Sequence, residues 1–228
     1  MATTHTRTIT QSLPDADRGE LYPEFRRVAL AAPHAIAVVG HDDTEFSYAD
    51  LLASVDAAAE RLAAELDPDD VLGLAVDDPL TFVSLYLAAA RNGTVIVLLE
   101  GRLTEREHAE NTDRFDLTAL AVDHGGPGVF RLKAAPGHHP GRDGPVHAYE
   151  PEDFVVHRTS GSTGEPKGIV MSQAAVSARV RLWNSETEMT SADMVLCALP
   201  LHHCHGIDVL TLPALLTGVT VVFARAGR

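Results

Sequence analysis

The chain contains little cysteine, which excludes a small protein held together by disulfide bonds. Cys197 and Cys204 are the two cysteines among 228 residues, too few for a disulfide scaffold and typical of a reducing compartment. The polar N-terminus has no apolar run after its charges, so the sequence shows no signal peptide. No window is apolar over the length that spans a bilayer. We therefore expect a cytoplasmic protein with no membrane association.

Basic residues are also scarce, and this argues against a nucleic-acid-binding protein. The chain has 18 Lys and Arg against 32 Asp and Glu, a formal net charge of −14. An acidic surface repels the phosphates of nucleic acids, so we expect no nucleic-acid partner. Among the cations, only Lys133 and Lys167 are lysines. Because lysine is so rare here, a lysine inside an unusual loop becomes a candidate functional residue.

Strand and helix patterns alternate over residues 20–123. Continuous apolar runs at 71–76, 94–99 and 117–122 are typical of buried strands, and amphipathic segments separate them. Ser47 is placed to cap one helix, and Pro79 is placed in the first turn of another. This alternation predicts an α/β layered domain, whose mostly parallel sheet is flanked by helices on both faces.

The remaining chain divides into three segments. Residues 1–19 are polar and predict a flexible arm. Residues 124–152 hold six Gly and five Pro, and predict a long surface loop. Histidines 138, 139 and 147 in this loop lack paired carboxylates at a useful spacing, so we interpret them as solvated. Residues 153–228 predict a second portion of the same truncated domain.

The second portion ends on an apolar strand, "VTVVFA", residues 219–224. We expect its sheet neighbours to lie largely outside this sequence, which would leave an apolar edge. An unpaired apolar edge favours aggregation. We therefore expect a complementary chain or self-association to cover it.

One loop has an unusual composition. Residues 159–168, "TSGSTGEPKG", hold three Gly, four hydroxyl residues, one Pro and one Lys between two predicted strands. Glycines let backbone N–H groups converge on an anion, and the hydroxyls and the lysine add donors. The common G-x-x-x-x-G-K-[ST] loop does not match, because Glu165 and Pro166 separate Gly164 from Lys167. A surface turn is the alternative, but the ordered Pro-Lys-Gly ending between strands favours a phosphate loop.

This loop resembles the phosphate-loop signature of the adenylate-forming (AMP-binding) superfamily. That superfamily includes acyl-CoA synthetases and the adenylation domains of nonribosomal peptide synthetases. A second segment, "LPLHHCHGID" at 199–208, is similar to the family motif beside the acyl pocket, and segments 46–63 and 85–99 are weaker matches. The four matches follow the family order, so the resemblance is to the N-terminal part of such enzymes.

The resemblance implies ATP-dependent carboxylate activation. A carboxylate attacks the α-phosphate of ATP·Mg²⁺ to give an acyl-adenylate and pyrophosphate, and the thiol of coenzyme A or of a carrier-protein pantetheine then takes the acyl group. The nucleotide-binding residues it implies are Thr159, Ser160, Gly161, Ser162, Thr163, Gly164 and Lys167. It further implies that Lys167 neutralises the departing pyrophosphate. The substrate-binding residues it implies are His203, His205 and Gly206, with His203 beside the acyl pocket.

The "HHCHG" segment has two other interpretations. Three His and one Cys at positions 202–205 could form a metal site, but so short a loop should not let all four converge, and further ligands are lacking. Cys204 could act as a nucleophile beside a histidine, although such neighbours are common by chance. We rank the pocket first and expect no metal site.

The sequence also departs from the family pattern. Leu98, Leu99 and Glu100 stand where a proline usually closes the strand, and His202 stands where the family has an aromatic residue. The family segments that hold Mg²⁺, the ribose hydroxyls and the C-terminal catalytic lysine match nothing here. Three hypotheses follow: a split enzyme completed by a complementary chain, a fragment of a complete enzyme, or a non-catalytic nucleotide- or partner-binding module.

Overall fold

The computed structural model describes residues 21–138, 149–159 and 167–224. Within these ranges the fold is a mixed α/β fold, as the alternating pattern predicts. The helices are α1 (Leu21–Ala31), α2 (Tyr48–Glu65), α3 (Pro79–Asn92), α4 (Glu105–Phe115), α5 (Gln173–Thr187), a π-helix (His205–Thr211) and α6 (Leu212–Thr217). The strands are β1 (Ile36–Val39), β2 (Glu45–Ser47), β3 (Val71–Ala75), β4 (Val95–Leu98), β5 (Ala119–Asp123), β6 (Phe130–Ala134), β7 (Asp153–Thr159), β8 (Lys167–Ser172), β9 (Met194–Cys197) and β10 (Thr220–Phe223).

The strands form two mostly parallel sheets. The first has the order β2-β1-β10-β9, with β10 parallel to both β1 and β9. The second has the order β6-β5-β3-β4-β7-β8, and its four central strands are parallel. Antiparallel strands β6 and β8 form its edges.

The main core lies between the two sheets and is built around α3. All residues from Pro79 to Ala90 of this helix are buried, which fits its apolar sequence. A smaller core on the other face of the six-stranded sheet packs Phe115 of α4 against Val97 and Val156. Helices therefore flank both faces of that sheet.

Local sequence signals explain where several helices begin and end. The Ser47 side chain accepts a hydrogen bond from the Asp50 N–H, and the Asp50 carboxylate accepts one from the Ser47 N–H, which completes a capping box. Asp78 caps α3, Pro79 occupies its first turn, and Gly93 ends it in the left-handed conformation with φ 73°. Ser172 caps α5 by accepting from the Ala175 N–H.

Two expectations about strands are wrong. The segment 124–152 is not entirely loop, because β6 lies in it and pairs antiparallel with β5. The last strand, β10, does not lack sheet neighbours, because β1 and β9 pair with its two sides. The exposed apolar edge strands are instead β9, where Met194 is 67% and Leu196 63% exposed, and β8, where Ile169 is 53% exposed.

The predicted arm at 1–19 and residues 139–148 of the predicted loop lie outside the described residues. Across the described ranges, the helices are all too short or too polar to cross a bilayer.

Candidate functional site

The candidate phosphate loop is framed by a β-hairpin. Strands β7 and β8 pair antiparallel from Asp153 opposite Ser172 to Thr159 opposite Lys167. The Thr159 hydroxyl donates a hydrogen bond to the Lys167 carbonyl oxygen at 3.3 Å. The hairpin therefore brings together the first loop residue and the lysine at the mouth of segment 160–166. The predicted residues Ser160, Gly161, Ser162, Thr163 and Gly164 lie outside the described residues.

Packing explains the glycine that follows Lys167. A Cβ atom at Gly168 would lie 2.7 Å from Cε1 of Phe115 and 2.8 Å from Cγ1 of Val156. These distances are well inside van der Waals contact, so only glycine lets β8 lie this close to α4. Lys167 itself is exposed. The end of the hairpin is held by packing, whereas its cation remains accessible to solvent.

The second motif forms a tight turn that leads into the π-helix. The His203 N–H donates to the Pro200 carbonyl oxygen at 3.1 Å, and the Gly206 N–H donates to the His203 carbonyl oxygen at 2.9 Å. The rings of His203 and His205 are exposed, with centroids 5.2 Å apart. The structure therefore presents both predicted histidines to solvent on one short turn.

Gly206 has a packing role. It is buried, and a Cβ atom there would lie 2.3 Å from the Pro200 carbonyl oxygen. Its own carbonyl oxygen accepts a hydrogen bond from the Thr211 hydroxyl at 2.7 Å. The turn closes only because this position has no side chain, so backbone packing accounts for the glycine without a ligand.

The short turn brings three side chains closer together than we expected. One ligand atom each of His203, Cys204 and His205 lies within 4.8 Å of the others. Cys204 Sγ is 3.4 Å from His205 Nδ1. The four residues do not all converge, because His202 is outside the group, but three of them do. Two of the three are exposed, unlike the closed four-ligand set of a structural zinc site.

The "HHCHG" turn faces the carboxyl ends of the parallel strands of the six-stranded sheet. His202 is within electrostatic reach of Asp77, which follows β3, of Glu100, which follows β4, and of Arg158 near the end of β7. In open parallel sheets, ligands bind outside the carboxyl ends of the strands. The two motifs therefore approach each other where a parallel sheet commonly binds a ligand.

Burial sets the protonation of the two basic groups at this edge. It lowers the pKa of His202, with the acidic neighbours Glu100 and Asp77 acting in the opposite direction. The imidazole of His202 is therefore neutral near pH 7. Burial also lowers the pKa of Arg158, whose Nε is buried with no hydrogen-bond partner among the described residues. Arginine nevertheless remains charged at neutral pH, so a cation stands next to Thr159.

A buried carboxylate lies beneath the two motifs. Asp208, on the π-helix, is completely buried. Its Oδ2 lies 2.9 Å from His157 Nε2 and 3.0 Å from Arg179 Nη1, and its Oδ1 accepts a hydrogen bond from the Tyr86 hydroxyl at 3.2 Å. Nε2 of His157 makes no hydrogen bond of acceptable geometry, so this is a close polar contact without an aligned hydrogen bond. We call these four residues the Asp208 cluster.

Sequence reasoning missed the Asp208 cluster and Arg158. Two signals were present: a histidine within the apolar strand "DFVVHRT", and an aspartate two positions after the "HHCHG" motif. Neither signal identifies its partner, because His157 and Asp208 are 51 positions apart. Only the tertiary fold brings them together.

The sequence matches a known family and several curated relatives. The family described as AMP-binding enzyme matches residues 25–228. An indoleacetate–CoA ligase of Aromatoleum aromaticum is 30% identical over 217 residues, covering 79% of this chain and 40% of that protein. A feruloyl-CoA synthase of Amycolatopsis is 30% identical over 222 residues, covering 88% of this chain and 43% of that protein. The chain thus spans less than half the length of these relatives.

Solved structures share the fold at lower identity. The inhibitor-bound N-terminal domain of FACL13 from Mycobacterium tuberculosis superposes with a TM-score of 0.75 at 20% identity, covering 92% of this chain and 58% of that one. Apo MatB from Rhodopseudomonas palustris superposes with a TM-score of 0.74 at 19% identity, covering 92% and 46%. The matched family covers most of the sequence, and the fold is that of the N-terminal domains of its members. The chain belongs to the AMP-binding enzyme family.

Proposed function

We propose that the chain activates a carboxylate with ATP, forming an acyl-adenylate and releasing pyrophosphate. The observation that carries this proposal is the β7–β8 hairpin, which sets Thr159 opposite Lys167 at the two ends of the segment 160–166. Membership of the AMP-binding enzyme family supports the use of a nucleotide. A solved neighbour, MatB from Rhodopseudomonas palustris, is known in an ATP-bound form, with a TM-score of 0.74.

The chemistry of the hairpin fits a triphosphate. Lys167 is exposed, so its ammonium is free to reach the β- and γ-phosphates and to offset the charge that develops on departing pyrophosphate. In the proposal, Thr159 and the loop residues Ser160, Gly161, Ser162, Thr163 and Gly164 donate hydrogen bonds to the same phosphates. Arg158, next to Thr159, adds a second cation at the loop end of the hairpin.

We assign the acyl side of the site to the "HHCHG" turn. His203 and His205 are exposed on this turn, and His202 is partly buried and neutral. In the proposal, His203 acts beside the acyl group, with His205 nearby, and Gly206 closes the turn. The neutral His202 makes the acyl side of the site more polar than an aromatic residue would. We propose coenzyme A or a carrier-protein pantetheine as the thiol that accepts the acyl group, as in the CoA ligases among the relatives.

No residue of the chain is assigned to Mg²⁺, adenine or ribose. The described residues at the edge of the sheet include the carboxylates of Asp77 and Glu100, but Asp77 pairs with Arg102 at 3.2 Å. We propose that these groups are held by protein beyond the sequence 1–228, supplied by a complementary chain. The exposed apolar side chains of Met194 and Leu196 on edge strand β9 support a covering partner, and self-association is the alternative.

The proposal is tested by ATP–pyrophosphate exchange with the purified chain across a panel of small, aromatic and fatty carboxylates. Lys167→Ala is the test variant, and Lys133→Ala is its matched control, because it removes the other lysine, which is exposed on β6. We expect exchange that requires one carboxylate, is lost in Lys167→Ala and is retained in Lys133→Ala. Both variants should keep wild-type stability, because an exposed lysine contributes little.

A chain that needs a partner requires a second measurement. ATP binding by calorimetry does not need turnover, and we expect Lys167→Ala to weaken it about tenfold or more. ATP binding without exchange would support a split enzyme or a nucleotide-binding module, and recovery of exchange on adding a co-purified chain would select the split enzyme. Equal ATP affinity in the Lys167→Ala and Lys133→Ala variants would contradict the assignment of Lys167.

A further inference from the structure

The proposed function leaves the Asp208 cluster without a role. The carboxylate of Asp208 has no exposed surface, so it does not touch a substrate. Burying a carboxylate costs free energy unless donors surround it. Here Tyr86 and Arg179 donate hydrogen bonds to Asp208, and Nε2 of His157 lies 2.9 Å from it without hydrogen-bond geometry. Burial, followed by the negative charge of Asp208, raises the pKa of Tyr86 well above its usual value. Tyr86 therefore remains a neutral hydroxyl donor to the carboxylate.

The cluster connects the two halves of the proposed site. His157 lies on β7, two positions before Thr159, where the phosphate hairpin opens. Asp208 lies on the π-helix, three positions after His205 of the pocket turn. Arg179 comes from α5, which follows β8, and Tyr86 comes from the central helix α3. Asp208 thus contacts the first strand of the hairpin, the helix that follows the second strand, and the buried central helix α3.

Stability alone does not explain such an arrangement. Replacing a buried ion pair by well-packed apolar side chains is often neutral or stabilising, because desolvation offsets the attraction between the charges. What a charged cluster adds is direction, since its contacts hold only at particular distances and angles. Neither ring nitrogen of His157 has a hydrogen-bond partner among the described residues, yet the buried ring is held with Nε2 2.9 Å from Asp208.

We propose that Asp208 is a positioning residue that holds the phosphate hairpin and the pocket turn in a fixed relation. Through His157 it fixes the end of β7 from which the phosphate loop begins. Through Arg179 it fixes α5, which follows β8, the second strand of the hairpin. The proposal rests on the proposed function, because it gives this fixed relation the purpose of aligning a triphosphate with an acyl group.

The first test is local hydrogen exchange in the 228-residue chain. We expect Asp208→Asn to speed exchange about tenfold at the amides of 157–159, 167–170 and 203–207, while the amides of β3 and β4 exchange as in the wild type. A merely structural role would instead raise exchange in all of these strands together. Asp56→Asn is the matched control, because Asp56 also binds a tyrosine and an arginine, Tyr22 at 2.6 Å and Arg91 at 2.8 Å, but on α2.

The second test is ATP affinity by calorimetry. We expect Asp208→Asn to weaken ATP binding about tenfold and Asp56→Asn to leave it unchanged. Adding His157→Leu to Asp208→Asn should weaken it little further, because both changes break one connection. Should Asp208→Asn not fold, Arg179→Met replaces it in both tests, since the Arg179 side chain is 39% exposed and the site tolerates change.

The outcomes separate this inference from the proposed function. If ATP binds neither to the wild type alone nor to the wild type with its co-purified chain, the proposed function is wrong, and the positioning role falls with it. If the wild type binds ATP and the variant binds it equally well with unchanged exchange in the hairpin and the turn, the positioning role alone is overturned. Faster local exchange together with weaker ATP binding supports both.

Discussion

The parts of the chain before and after the Gly/Pro-rich segment 124–152 are packed differently. In the first part, α3 has twelve consecutive buried residues, from Pro79 to Ala90. In the second part, α5 buries only Val176, Ser177 and Val180, while Leu182 is 63% exposed on the same helix. The first part leaves one large apolar side chain exposed among its described residues, Leu30 at 54%. The second part carries both motifs and leaves more apolar surface exposed, including Ile169, Met194 and Leu196.

The largest expected effect tests this difference in packing. Phe82→Ala in α3 should lower the free energy of unfolding by about 3–5 kcal/mol, because Phe82 is 1% exposed and its removal leaves a cavity. Trp183→Ala in α5 should cost less than about 1 kcal/mol, because that ring is 38% exposed. Urea unfolding measures both losses of stability, provided that the m-values of the variants equal that of the wild type. Equal losses would show that the second part has a closed core as well.

A smaller effect distinguishes packing from binding within the second part. Gly206→Ala should cost about 1–3 kcal/mol, because its Cβ atom would lie 2.3 Å from the Pro200 carbonyl oxygen. Gly126→Ala is the control, because a Cβ atom there meets nothing within 4 Å. We expect that control to change the midpoint of thermal unfolding little. Unchanged stability in Gly206→Ala, combined with weaker carboxylate binding, would show that Gly206 serves substrate binding instead of packing.

The same difference explains how much the sequence could predict. The helix boundaries in the first part followed from residues close in sequence, such as Ser47 with Asp50 and Pro79 with Gly93, so local patterns were sufficient. Strand β6 was missed among glycines and prolines, although Phe130 and Leu132 alternate with Arg131 and Lys133, a period-two pattern typical of an edge strand.

Contacts between distant segments were beyond local patterns. The partners of β10 could not be read from the sequence, because pairing with β1 joins Val38 to Val221. The division into two sheets has the same cause. In the candidate site, the sequence located the hairpin that brings Thr159 opposite Lys167, but it did not reveal the Asp208 cluster, which depends on four separated elements.

The smallest expected effect compares the helix caps of the two parts. Ser47 and Ser172 each cap a helix, and we expect either Ser→Ala change to cost about 1 kcal/mol near pH 7. The caps differ because α2 has a carboxylate at its third position, Asp50, where α5 has Ala175. The hydrogen bonds of the Ser47 hydroxyl and N–H lower the pKa of Asp50.

The sign of this shift predicts a pH dependence. Because the folded pKa of Asp50 lies below its unfolded value of about 3.9, its contribution is present above that pH and is lost as the pH falls through the folded pKa. Urea unfolding between pH 7 and pH 3 should therefore show the cost of Ser47→Ala shrinking, while the cost of Ser172→Ala stays constant. A constant cost at both caps would mean that the Asp50 hydrogen bonds do not distinguish the two helices.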